Sequence, residues 1–496
     1  MPLFRHHCFF AALSGFIGGI TIATFANIPL SVAGAVLLSG ACGVALGSGG
    51  VTRWRLVWLS GGVLLLAFGA GTLRVTVPEL WRGKEETREA ALLGEAAGTR
   101  RPVRVAARVD SFPEARPTHQ EFTVRTPAGN ALSVRAERTA SFAYGDHLIV
   151  QGRLRAPREF RAARGIAYEF FMPQIEAAHV YDRRSVRRAL FFVRAYAGER
   201  LEALFPEPLG AYAKALLLGD RSGFSRELTE MFRRAGTTHI VALSGFNITL
   251  VANFFSVILL GLGVNRRASF WPVALAILTF VLLTGASASV VRAGIMGALL
   301  PLAYALGRHY DIGRALGTAA VAMLVSDPSV LRYDIGFQLS FAAILGMTTL
   351  GALLIKRFGR WDNLWGLRDL VLTTVAVEVA VLPLIIYHFG EAAALALIVN
   401  LLVLPLIALT TVLGFAALAA GTLSVALGKV VAVPAAILLS TELGIMEFFA
   451  SLPLATVFFP PIGPGMLLVL YGVMALMIAG LSRRRGGIPG VITSSP

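Results

Sequence analysis

The sequence predicts a polytopic α-helical membrane protein of about twelve spans with one extracytoplasmic β-barrel domain. Three observations predict it. Of the 496 residues, 56% are hydrophobic and only 15% charged, where soluble chains carry about 25% charge. The apolar residues fall in uninterrupted runs such as 57–73, 269–286, 335–355 and 466–481, and runs of roughly 17–25 residues have the length that crosses a bilayer. One stretch, 75–205, departs from this pattern, being charged, moderately polar and rich in period-two alternation.

Three apolar segments open the chain, near 9–26, 29–48 and 57–73. The first follows a basic start, as a signal peptide would, but two more segments come directly behind it, which favours a retained helix. Nine others follow the polar stretch, near 239–262, 269–286, 287–306, 315–326, 335–355, 369–388, 391–418, 430–450 and 464–481. The segment at 315–326 is short for a full span and suits a re-entrant helix as well. Loop charges orient the set, because short cytoplasmic loops collect Lys and Arg. With Arg5 inside, the inside loops receive Arg53 and Arg55, Arg266 and Arg267, Arg308 and Arg314, then Lys356, Arg357 and Arg360, and Lys429. The tail Arg483, Arg484 and Arg485 also falls inside, while the outside loops at 327–334 and 451–464 carry almost none. The expected location is the cytoplasmic (inner) membrane, with both termini cytoplasmic. The expected divisions are a three-span segment at 1–74, the extracytoplasmic domain at 75–182 and an amphipathic helical connector at 183–237. A transmembrane bundle at 238–482 and a cytoplasmic tail at 483–496 complete the chain.

Residues 103–109, 121–125, 131–136 and 147–154 alternate or are β-rich, and turns at 127–130 and 144–146 punctuate them. Strands spaced this evenly suit a small barrel. The run from Tyr144 to Leu154 (Tyr-Gly-Asp-His-Leu-Ile-Val-Gln-Gly-Arg-Leu) resembles the Gly-Asp strand of oligonucleotide-binding (OB) folds, so the domain is expected to be OB-like. A nucleic-acid surface needs cations with interleaved rings. Arg153, Arg155 and Arg158 with Tyr144 and Phe160 supply both types here, although a single ring is more often core. The connector offers two amphipathic helices, about 183–204 and 224–235, whose arginines suit a membrane surface or a nucleic-acid backbone. The net charge of +16 suits anionic partners but also follows from the loop rule.

The most specific stretch is Leu218-Gly-Asp-Arg-Ser-Gly-Phe224, followed by Phe232-Arg-Arg-Ala-Gly-Thr-Thr-His-Ile-Val-Ala-Leu-Ser-Gly-Phe-Asn-Ile248. It resembles the ComEC/Rec2 competence family in Gly219, Asp220, Arg221, Gly236, His239, Ser244 and Gly245, with Asn247 where the family most often has His. Further blocks stand in family order: Ser289-Val-Val-Arg-Ala293, Ser326-Asp-Pro328, Gly336-Phe-Gln-Leu-Ser-Phe341, Pro383 and Asn400-Leu-Leu-Val-Leu-Pro405. The resemblance implies an inner-membrane channel passing single-stranded DNA into the cytoplasm. It implies partners as well: membrane lipids, a DNA receptor or pilus system outside, a cytoplasmic motor and single-strand-binding proteins. The metallo-β-lactamase-like domain that ends many members has no matching His-x-His-x-Asp-His motif here. A separate nuclease is therefore expected.

Residue chemistry is compatible with that reading. Ionisable groups in apolar spans are expensive and face a cavity or a partner. Arg292 suits phosphate oxygens, and Glu378, Gln338, Asn247 and Asn400 add polar groups at membrane depth. A plainer account has Arg292 paired with Glu378 as a helix staple. His239 and Ser244 lie at the expected outer end of the 239–262 span, where His239 and Gly236 share a helical face with Asn247 near it. Gly219, Asp220 and Arg221 form a turn that serves as a helix cap or a gate. Two rivals remain open, a transporter or flippase for another anionic solute or lipid, and an intramembrane hydrolase using Ser244 and His239. Cys8 and Cys42 lie in apolar segments, and neither a metal motif nor a Gly-x4-Gly-Lys-Ser/Thr loop occurs. No enzymatic activity and no cofactor are expected.

Overall fold

A computed structural model describes residues 2–26, 28–49, 52–76, 84–99, 102–111, 113–115, 119–137, 142, 144–156, 166–177, 186–241, 245–358 and 366–483. Each of the twelve apolar stretches is helical: α1 (Pro2–Phe25), α2 (Leu30–Gly49) and α3 (Thr52–Thr76) before the barrel, nine more after it. Among the described residues, eight helices are long and apolar enough to cross a membrane, and this is a membrane protein. The first three pack with backbones almost touching. A Cβ on Gly15 or Gly19 would lie within 2.1 Å of a carbonyl oxygen of α3, the small-xxx-small spacing that lets apolar helices approach in lipid.

Helix α4 (Lys84–Thr99), which periodicity had not marked, leads into the barrel. Strands β1 (Pro102–Val109), β3 (Gln120–Arg125), β4 (Ala131–Ala136), β6 (Ile166–Phe171) and β5 (His147–Arg155) follow one another around it. The pairing of β1 with β5 closes the ring, and β4 with β6 is its one parallel pair. This is a five-stranded Greek-key barrel, the architecture to which OB folds belong. Two short strands, β2 (Glu114–Ala115) and β7 (Gln174–Ala177), flank β3 and β5. Val105, Val109, Phe122, Val124, Leu132, Val134, Val150 and Phe170 alternate inward to fill it, and Leu93 of α4 plugs one end. Tyr144 is only 6% exposed, so its ring is part of the wall and does not present a stacking face.

The bundle begins with α5 (Val186–Leu204), α6 (Leu209–Leu218) and α7 (Arg226–Arg234). The connector is not simply a surface element. Eight of the ten residues of α6 are buried, wedged with α5 and α7 against the long helices α15 (Ala396–Leu423) and α16 (Val425–Ser451). The remaining helices are α8 (Gly245–Gly261), α9 (Arg266–Leu283), α10 (Ala288–Ala305), α11 (Ile312–Ser326), α12 (Val330–Tyr333), α13 (Ile335–Arg357), α14 (Leu367–Phe389) and α17 (Pro464–Arg483). A π turn at Met347–Gly351 interrupts α13. Strands β8 (Glu391–Ala393) and β9 (Thr456–Phe458) pair, tying the loop before α15 to the loop before α17.

Candidate functional site

Polar contacts pass from helix to helix around the bundle, and they decide which buried groups are engaged. Arg292, on the second turn of α10, is 7% exposed. Its Nη1 donates to the Ser340 carbonyl of α13 at 2.6 Å, and its carbon Cζ stands 6.0 Å from the Phe341 ring centre. Its Nε is buried and makes no hydrogen bond within the described chain. No carboxylate lies in ion-pair contact with it among the described residues. Glu378 of α14 takes its hydrogen bond from Asn400 Nδ2 of α15 at 2.6 Å. The staple expected between Arg292 and Glu378 is therefore not formed.

Gln338 and Asn247 are committed. Gln338 Nε2 donates to the carbonyls of Leu331 and Arg332 at 2.9 Å, and its Oε1 meets His388 Nε2 at 2.6 Å. Asn247 is buried and donates from Nδ2 to the last-turn carbonyl of Leu216 in α6 at 3.0 Å. Both amides are locks between elements. Asn400 differs, because its Oδ1 is buried and makes no hydrogen bond within the described chain.

The glycine-aspartate-arginine turn is a joint. Gly219 caps α6 in the left-handed conformation, which Gly adopts without a Cβ clash. Asp220 accepts from the Ser222 N–H at 3.0 Å and lies 3.6 Å from Lys214, which also reaches Glu202 at 2.7 Å. Burial alone would raise the Asp220 carboxyl, but Lys214, Arg194 and the Ser222 N–H outweigh it and hold it below its ordinary value. Arg221 donates to the carbonyls of Val241 and Thr238 at 3.2 and 3.4 Å. The joint thus fixes α6 to the turn that precedes α8.

That turn corrects one expectation. Helix α8 starts at Gly245, so Gly236 and His239 precede it and share no helical face with Asn247. His239 is exposed there, and Ser244 lies outside the described residues. Gly236 has a reason to be glycine: its φ is +73°, and a Cβ would come 2.5 Å from that of Ala396.

The sequence reading missed one site. Glu442 of α16 is fully buried, with Oε2 accepting from Tyr212 Oη at 2.7 Å and Oε1 in contact with Thr410 Oγ1 at 2.5 Å. The signal was present, since a carboxylate in an apolar run marks Glu378 and Glu442 alike. In the barrel, Arg153 and Arg155 are exposed on β5, with Arg155 4.9 Å from the Phe171 ring centre. Arg158 and Phe160 lie outside the described residues. Arg188 of α5 reaches Asp146 of the barrel at 3.7 Å, which joins the two parts.

Residues 216–484 match the family model described as competence protein. The chain is also 25% identical over 203 residues to ComE operon protein 3 of Bacillus subtilis (strain 168). That alignment covers 41% of this chain and 25% of the relative, so the chain matches a quarter of the relative's length. No solved structure matches.

Proposed function

The chain belongs to the competence protein family, and from that premise we propose that it is the inner-membrane channel through which single-stranded DNA enters the cytoplasm. The family gives a role in DNA uptake, and the observation that carries the finer reading is Arg292. A guanidinium buried in an apolar span, held among the described residues by one backbone carbonyl and facing no carboxylate there, keeps its charge for an anion. Arginine's planar fork suits phosphate oxygens. Asn400, with Oδ1 unengaged and Glu378 on its other side, adds an acceptor for base or sugar groups. Gln338 and Asn247 hold the helices around that path. Arg221 and Asp220 hold the joint beside its entrance.

The barrel faces outward and receives the strand before the bundle does, with Arg153 and Arg155 among its contacts. Both termini are cytoplasmic. The chain acts as a conduit and not as an enzyme. A receptor or pilus outside, a cytoplasmic motor with single-strand-binding proteins, and a separate nuclease supply the remaining steps. Uptake of end-labelled DNA by a strain lacking the chain tests this. The expected result is label that accumulates outside and never becomes cytoplasmic, restored by the full chain. Cytoplasmic entry at the parental rate in the deletion strain would refute it.

A further inference from the structure

The barrel's cations are not spread evenly, and the register shows where they collect. Arg108 of β1 lies directly opposite Arg125 of β3 on one side and His147 of β5 on the other. All three point outward and are exposed. They form one row across three neighbouring strands, a span of about 10 Å at ordinary strand spacing. Arg104 stands on the same face four residues back along β1, about 13 Å away, opposite Gln151, and Arg153 follows opposite Pro102. Between the row and the turn after β3 lies an open cavity of about 710 Å³, lined by Arg108, Arg125, His147, Thr126 and Gly129.

Three carboxylates share this face, one of them Glu121, which stands outward on β3. Asp110 lies 2.8 Å from Arg125 and 3.9 Å from Arg108, and Glu176 lies 2.9 Å from Arg104. Five guanidinium groups, counting the outward Arg155 of β5, against three carboxylates leave the face cationic by two charges. The neighbouring outer face, on β4, differs. Its outward Ser133 is 3% exposed and hydrogen-bonded to Glu121, and Arg135 lies 4.0 Å from Glu169. Among the described residues of the barrel, the surplus positive charge therefore lies on β3, β1 and β5.

We infer that single-stranded DNA docks along the β3–β1–β5 face of the barrel, with backbone phosphates seated over the Arg108–Arg125–His147 row and Arg104. This rests on the proposed passage of DNA past the barrel and assigns that contact to a face. The described residues of the face present no exposed Phe, Tyr or Trp on which a base could stack, so recognition is by charge and indifferent to base sequence. Binding by charge releases counterions, and single strands lose about 0.7 in the slope of log affinity against log salt for each phosphate contact. Two net positive charges correspond to a slope contribution of about 1.4, or about a sevenfold fall in affinity between about 50 and 200 mM salt.

The test uses the full chain in nanodiscs of neutral lipid and a labelled oligothymidylate, read by fluorescence anisotropy across that salt range. A triple variant, Arg104→Gln with Arg108→Gln and Arg125→Gln, should lose that roughly sevenfold salt response completely, because the three charges removed exceed the net two of the face. Asp110→Asn should tighten binding and steepen the response by about 2.6-fold, an effect in the opposite direction that a misfolded barrel cannot produce. If the parent binds and neither variant changes it, the face is not the docking surface, although the proposed channel stands. If the parent fails to bind at any salt, the reading of the barrel as part of the DNA path fails as well. A triple variant that keeps DNA binding but loses association with anionic-lipid vesicles would assign the face to the membrane and overturn the inference.

Discussion

Arg292→Gln separates a conduit from a staple by magnitude. If Arg292 neutralised Glu378, removing it would strand a buried carboxylate and cost about 3–5 kcal/mol. The geometry says otherwise. Glu378 is served by Asn400, and among the described residues Arg292 donates once, to the Ser340 carbonyl at 2.6 Å. The charged hydrogen bond lost is worth about 1.5–3 kcal/mol, and relief from burying a guanidinium offsets much of it. Net stability should then change by only about 1 kcal/mol. The same 1.5–3 kcal/mol, now missing from a phosphate contact, should slow DNA entry by about 10- to 150-fold. Three measurements on one strain settle the matter: membrane abundance by immunoblot, the thermal midpoint of the purified protein in nanodiscs, and cytoplasmic recovery of labelled DNA. Normal abundance with blocked entry is the expected outcome. Parental entry would refute the phosphate contact, and a loss of 3 kcal/mol or more would refute the hydrogen-bond assignment. Arg292→Lys should restore entry only in part, because an ammonium lacks the planar fork.

Gly236→Ala should destabilise the bundle by roughly 2–5 kcal/mol, combining a left-handed residue with a Cβ forced against Ala396; a thermal midpoint equal to the parent's would contradict that packing. Tyr212→Phe and Thr410→Val each remove a hydroxyl from Glu442, at about 0.6–1.7 kcal/mol apiece in a membrane bundle. A double-mutant cycle should show them coupled through the shared carboxyl, and strict additivity would argue against one network. Asp220 is held below its ordinary value of 3.8, so its stabilising contribution is full above that value and fades as pH falls through the folded-state value. Asp220→Asn should therefore flatten the acid side of the thermal midpoint against pH, and an unchanged acid limb would show that the joint contributes nothing there.

The apolar helices were legible because length and hydropathy suffice to mark them, eight of them long enough to cross a membrane among the described residues, and the barrel strands because inward positions alternate with outward ones. Helix α6 was not. It has only ten residues, follows Pro206 and Pro208, and includes Lys214, so it resembles a loop-flanked surface turn. Its nearly unbroken apolar sequence from Leu209 to Leu218 was the hint, since a helix apolar on every side is a buried one. Tyr144 misled for the opposite reason. A ring beside a Gly-Asp turn can stack on a ligand or seal the barrel wall, and only closure of the strands decides. The staple expected between Arg292 and Glu378 failed because side-chain pairing depends on how each helix is rotated and how high it sits, and composition records neither.

The candidate site follows from which buried polar atoms are already satisfied. Gln338, Asn247 and Glu442 all sit in apolar surroundings, and each finds partners on another element. Their polarity is accounted for by holding helices together, so it carries no argument for a pore. Arg292 Nε and Asn400 Oδ1 are the buried atoms of this group that find none within the described chain. An unmade hydrogen bond in such a place costs about 1–3 kcal/mol, more where the group is charged. Of the buried polar side chains named above, Arg292 on α10 and Asn400 on α15 retain that cost, while the amides on α8 and α13 are engaged. One is a donor with a full positive charge and the other an acceptor beside a carboxyl. A phosphodiester chain with polar bases presents the complementary pair, anionic oxygens for the first and base N–H groups for the second. A simple inorganic anion would satisfy Arg292 and leave Asn400 as it is. Because Asn400 also serves Glu378, loss of DNA entry in Asn400→Leu would favour the nucleic acid over the smaller solute only if Glu378→Gln, which removes the carboxylate Asn400 serves, leaves entry at the parental rate.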